Sequence, residues 1–192
     1  ISINEEINQS LRVFQEISGD AMLKEKILTA ASACVKSLKN GGKILLCGNG
    51  GSAADAQHIA GEFVSRFMFD RAPLAAIALT TDTSIMTAIA NDYGYEKLFS
   101  RQVAANGKEG DILIAYTTSG TSANILLALA EANSLGMVTV CLTGNRKKIN
   151  GGVCDHLLEV PSAETPRIQE GHALLGHIIC SVVETEMFKG LS

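Results

Sequence analysis

Lys43-Ile44-Leu45-Leu46-Cys47-Gly48-Asn49-Gly50-Gly51-Ser52 reads as an apolar strand that runs into a glycine-rich turn and opens a helix. The strand is apolar without alternation, the pattern of a parallel strand covered on both faces. Comparable runs recur at Leu74–Leu79, Asp111–Tyr116, Val138–Leu142 and His156–Val160. Between and around them the apolar spacing predicts helices over about 3–17, 22–39, 53–67, 84–91, 122–135 and 166–189. This alternation predicts an α/β three-layer sandwich with a five-stranded parallel sheet, two N-terminal helices and a long C-terminal helix. Expected helix caps are Asp82 or Thr83, Thr121 or Ser122, and Thr165 with Pro166 at the first helical position. No repeat or linker interrupts the pattern, so residues 1–192 are read as one domain.

Composition narrows the function classes. Of the 192 residues 46% are hydrophobic and 19% charged, which describes an ordinary globular chain with a sizeable core. The net charge of -4 argues against a nucleic-acid surface, which needs a basic stripe. Arg146-Lys147-Lys148, the one compact basic cluster, is read as a solvated loop. No apolar run reaches the length of a membrane span, and no secretory h-region opens the sequence. The cysteines Cys34, Cys47, Cys141, Cys154 and Cys180 are odd in number and lack CxxC spacing. They are expected to be free thiols in a reducing compartment, hence a cytoplasmic protein.

Ligands of open parallel sheets bind at the carboxyl ends of the strands, where strand order reverses. Four groups of residues fall where that rule places a ligand. In Gly48-Asn49-Gly50-Gly51-Ser52 the glycines let the backbone approach a ligand, and Ser52 offers a hydroxyl at the positive helix end. A tight turn with a serine cap accounts for the same residues. Thr117-Thr118-Ser119-Gly120-Thr121-Ser122 puts five hydroxyls in six positions at a helix start, more than one cap needs. Hydroxyls and exposed N–H groups there suit a phosphate monoester. His58 and Glu62, at i and i+4, share a helix face one turn beyond the glycine loop. Asn91 and Asp92, closing a helix before Gly94, suit either sugar hydroxyls or a plain polar helix exit.

Gln169 and His177 present a problem of reach. Eight residues of straight helix rise about 12 Å, with an angular offset of about 80°. Either the two serve different parts of a site, or neighbouring subunits supply them to a shared one. His172, between them, is expected to be a satisfied packing histidine. The final helix also carries more apolar surface than one sheet covers, which predicts an oligomer.

The ordered set of Gly48-Asn49-Gly50-Gly51-Ser52, Asp55 to Glu62, Asn91-Asp92-Tyr93-Gly94, Thr118 to Ser122 and Arg167-Ile168-Gln169-Glu170 resembles the sugar isomerase (SIS) fold family, flavodoxin-like in topology. Within it the chain more closely resembles the phosphoheptose isomerases, over essentially its whole length. That resemblance implies Glu62 as general base and His177 as general acid. It implies His58, Glu62, Gln169 and His177 as ligands of Zn(2+), one per subunit. Sugar-phosphate contacts would come from Asn49, Gly50, Gly51, Ser52, Glu62, Asn91, Asp92, Thr117, Thr118, Ser119, Ser122 and Gln169. It further implies a homotetramer with active sites at subunit interfaces. The implied activity converts D-sedoheptulose 7-phosphate to D-glycero-D-manno-heptose 7-phosphate, the first step of ADP- or GDP-heptose synthesis for lipopolysaccharide or capsule. Two departures stand out: Thr117 where many members have serine, and Pro166 where some carry an aspartate. The competing resemblance is to a non-enzymatic relative that associates with the DnaA replication initiator. That relative lacks the counterparts of Glu62 and His177, which this chain has.

Overall fold

The computed structural model describes residues 2–145 and 152–190; the Arg146–Lys148 cluster lies outside them. Two helices, α1 (Ile3–Gly19) and α2 (Ala21–Lys39), come first. Strand β1 (Ile44–Gly48), α3 (Gly51–Val64), β2 (Ala76–Ala78), α4 (Thr83–Tyr93), α5 (Leu98–Asn106) and β3 (Ile112–Thr117) follow. The order then runs α6 (Ala123–Ser134), β4 (Val138–Gly144), β5 (His156–Val160) and α7 (Thr165–Met187). The five strands form one sheet in the order β2-β1-β3-β4-β5, every pair parallel. Order reverses between β1 and β3, which place Gly48 beside Tyr116, so the loops leaving these strands open side by side.

Both β1 and β3 are buried at every position, which explains their unbroken apolar runs. One face of the sheet packs Ile44, Leu46, Ile112 and Ile114 against α2, α3 and α7. The other packs Leu45, Cys47, Leu113 and Ala115 against α4, α5 and α6. Burying each such Leu or Ile stabilises the fold by roughly 1.5–3 kcal/mol, so this interleaving dominates the core. All five cysteines are free; four are buried and Cys154 is half-buried. Among the described residues no helix is long and apolar enough to cross a membrane.

Several details differ from the sequence reading. Helix α5 was not anticipated: its buried Leu98, Phe99, Gln102 and Val103 lie on one face, but nine residues give a short periodic signal. The Leu74–Leu79 run yields only three paired residues, since β2 is an edge strand. Helix α3 starts at Gly51 with Gly50 as its cap, so Ser52 lies inside the first turn and does not cap it. In α7 Glu164 occupies the cap position without a side-chain capping bond, so Thr165 is already helical and Pro166 occupies the second position. Asp82 does cap α4, accepting from the Ile85 amide at 2.9 Å.

Candidate active site

The glycine loop and the hydroxyl loop are tied together at the strand ends. The Asn49 amide donates to Asn124 Oδ1 at 2.9 Å, and Asn124 Nδ2 returns a bond to Asn49 Oδ1 at 2.8 Å. The Tyr95 hydroxyl adds a third bond to Asn49 Oδ1 at 3.1 Å. This exchange ties the two loops together, while in the first turn of α3 the Ser52 and Ala53 N–H groups bond back to the Asn49 and Gly50 carbonyls at 3.1 and 3.0 Å. A Cβ at position 51 would displace the Gln169 amide, which α7 lays over the loop.

In the second loop Thr117 is buried, and its hydroxyl accepts from the Gly120 amide at 3.2 Å. Ser119 Oγ accepts from the Thr121 amide at 3.2 Å and from the Thr121 hydroxyl at 3.1 Å. Ser122 occupies the cap position of α6, yet its side chain makes no capping bond. An over-supplied cap therefore does not explain the hydroxyls. Three of them shape the loop, and the Ser122 side chain makes no capping bond.

Beyond the glycine loop three side chains converge. His58 Nε2 lies 3.0 Å from Glu62 Oε1, and His177 Nε2 lies 3.3 Å from His58 Nε2. The three ligand-type atoms all fall within 4.8 Å of one another. His58 and Glu62 sit one turn apart on α3, and His177 comes from α7. Helices α3 and α7 run side by side in the same sense: Gln169 meets Gly51, Gly176 meets Ile59, and His177 meets His58. A Cβ on Gly176 would sit 2.8 Å from Ile59 Cδ1, so glycine there sets the close approach.

The reach problem thus has its answer in the neighbouring helix. Glu62, His58 and His177 meet within one chain. The alternative that neighbouring subunits supply Gln169 and His177 is not needed to bring His177 to His58 and Glu62. Two imidazoles and a carboxylate with an open fourth side form a donor set that suits zinc in a catalytic setting. The Gln169 amide lies against Gly51 at the glycine loop.

The SIS domain family matches residues 7–144, most of the chain. This chain belongs to the SIS domain family. It is 61% identical over 97% of its length to a phosphoheptose isomerase of Burkholderia pseudomallei (strain K96243), covering 94% of that protein. A phosphoheptose isomerase of Aneurinibacillus thermoaerophilus is 54% identical over 97% of this chain and 94% of its own. The solved phosphoheptose isomerase of Neisseria gonorrhoeae superposes with a TM-score of 0.87 at 44% identity, covering 95% of this chain and 97% of that one.

Asn91 and Asp92 are exposed at the end of α4 and bond to each other at 2.8 Å. Asn124 and Tyr95 were not singled out as functional, although both hold Asn49 in place. Asp55 lies on α3 one turn before His58; burial pushes its carboxyl up to about 6, with the nearby His58 opposing.

His172 is fully buried, as a packing residue should be, but it is not satisfied. Neither ring nitrogen finds a well-formed hydrogen bond, and its ring centroid lies 5.8 Å from that of Tyr116. Burial pushes its pKa down to about 4, the Thr143 backbone opposing. A depressed histidine binds fewer protons folded than unfolded, so stability is full above the unfolded value near 6.5. It should fall by about 1.4 kcal/mol per pH unit as pH drops from 6.5 toward 4. The melting temperature of His172→Phe should fall less steeply across that window than that of the parent chain. Parallel pH slopes for the two proteins would remove His172 as the cause.

Proposed function

We propose that the chain is an aldose–ketose isomerase interconverting D-sedoheptulose 7-phosphate and D-glycero-D-manno-heptose 7-phosphate. The observation that carries this reading is the convergence of Glu62, His58 and His177 beside two anion-suited loops at the strand-order reversal. Likeness to the phosphoheptose isomerases of Burkholderia and Neisseria supplies the substrate class. The phosphate is held by Ser52, Thr117, Thr118, Ser119 and Ser122 and by the N-terminal amides of α3 and α6. Asn49, Gly50, Gly51, Asn91, Asp92 and Gln169 meet the sugar.

Glu62 removes the proton from the carbon next to the carbonyl, giving a cis-enediolate. His177 supplies a proton to the oxygen on which negative charge develops. Return of the carbon-bound proton to the former carbonyl carbon, with loss of a hydroxyl proton, completes the transfer. Each group contributes about 10²–10⁴-fold. His58, Glu62 and His177, with Gln169 as the fourth and weaker donor, are the residues that would hold zinc. When bound, zinc would supply Lewis-acid stabilisation of the developing oxyanion. Pro166, in the first turn of α7, has no side-chain proton to give or take, so no step is assigned to that position.

The exposed α1 stripe Ile3, Ile7, Leu11 and Phe14 supports a homotetramer, as does the apolar groove of about 460 Å³ between Phe14, Leu28, Leu174 and Val182. Such an assembly would close over sites near the subunit interfaces in a cytoplasmic enzyme. The replication-initiator reading is not favoured, because the acid and base it lacks are both in place here. The deciding experiment compares turnover of sedoheptulose 7-phosphate with that of ribulose 5-phosphate and fructose 6-phosphate. Preference for the seven-carbon substrate is expected; turnover of the shorter sugars alone would overturn the assignment. Zinc is expected at about one ion per subunit. Stripping it with a strong chelator should abolish turnover without a change in circular dichroism. Full activity in a metal-free preparation would leave zinc no role.

A further inference from the structure

Arg71 lies in the connection between α3 and β2, and its side chain is completely buried. Its Nε donates to Glu184 Oε1 at 2.9 Å. Its Nη2 donates to the Glu62 carbonyl at 2.8 Å, and Nη1 to the Phe63 carbonyl at 2.7 Å. These are carbonyls of the last turn of α3, which lack partners within the helix and carry the negative end of its dipole. The guanidinium therefore caps the very turn that presents the Glu62 carboxylate.

Glu184 completes the clamp from α7, where it sits seven residues beyond His177 and so on the same face. It also accepts from the Phe67 amide at 2.9 Å and the Met68 amide at 2.8 Å. Burial alone would raise its carboxyl, but those amides and Arg71 hold it below the usual carboxylate range. Phe67, anchored this way, lays its ring 5.5 Å from the His177 ring. One buried ion pair thus grips the backbone of Glu62, the α7 face of His177 and an aromatic ring against His177.

We infer that Arg71 and Glu184 are a positioning pair that sets the distance and orientation between Glu62 and His177. The kinetic arm of the inference rests on the isomerase reading; the metal arm does not.

The test uses Arg71→Lys, which keeps the buried charge but loses the planar fork that reaches the α3 carbonyls. Glu184→Gln is the second variant, with Glu184's shape kept and its charge removed. Folding is checked by circular dichroism and assembly by sedimentation. In Arg71→Lys, kcat on sedoheptulose 7-phosphate should fall about 10²-fold, the scale of a 1 Å misplacement. KM should stay within about threefold, since the phosphate loops are untouched. Zinc affinity, titrated with the metal alone, should weaken about 10–100-fold. Glu184→Gln should move the same quantities in the same direction. Folded variants with unchanged kcat and zinc affinity would overturn the inference, and so would failure of both variants to fold, which would assign the pair to stability alone. If the parent chain does not turn over this substrate, the functional reading fails separately, and unchanged zinc affinity in the variants then overturns the positioning role.

Discussion

Glu62→Gln should lower kcat by about 10²–10⁴-fold while leaving the fold intact. The side chain sits in the last turn of α3 with 23% of its surface exposed, bonded to His58 at 3.0 Å. An amide of the same shape can keep that contact, so packing has no reason to change. What disappears is the lone pair that accepts a proton from carbon. A carboxylate held firmly by zinc is a weaker base, so the same group cannot be a tight ligand and a strong base at one moment. Either the metal bond is labile or Glu62 shifts during turnover. A distinguishing observation is zinc content: in Glu62→Gln it should fall, and saturating zinc should restore occupancy without restoring turnover. Substantial activity in the zinc-loaded variant would remove Glu62 from the base role.

The parts of the fold that could be read from sequence are those whose burial is complete. β1 and β3 are covered on both faces, so every residue but Thr117 is apolar and the run announces itself. α5 is covered on one face only, against α6 and the strand ends, and its nine residues follow a glycine turn that masks the start. At the site, residue types were legible and distances were not. Taken alone, α7 separates Gln169 from His177 by more than a side chain can span. Only the parallel run of α3 beside it shows that each has its own partner, Gly51 for one and His58 for the other. Arg71 left no signal in the sequence. Its acceptors are backbone carbonyls, which every residue has, and its carboxylate partner lies 113 positions away.

His177→Gln should likewise lower kcat by about 10²–10⁴-fold, through loss of the acid. Here the control is again zinc, because the imidazole faces His58 Nε2 at 3.3 Å and is both a ligand candidate and a proton donor. If excess zinc brought the variant back to full activity, His177 would be a ligand and no more. The two dead variants together test where the site is built. Were Glu62 and His177 contributed by different subunits, exchanging Glu62→Gln chains with His177→Gln chains would regenerate intact sites. In this structure they meet within one chain through His58, so every mixed assembly carries one defect in each site. The exchanged mixture should therefore stay as inactive as its parents, with subunit exchange verified by native mass spectrometry. Recovered turnover would mean that α7 of one subunit completes the α3 groove of another, and the within-chain pairing of these two helices would have to be abandoned.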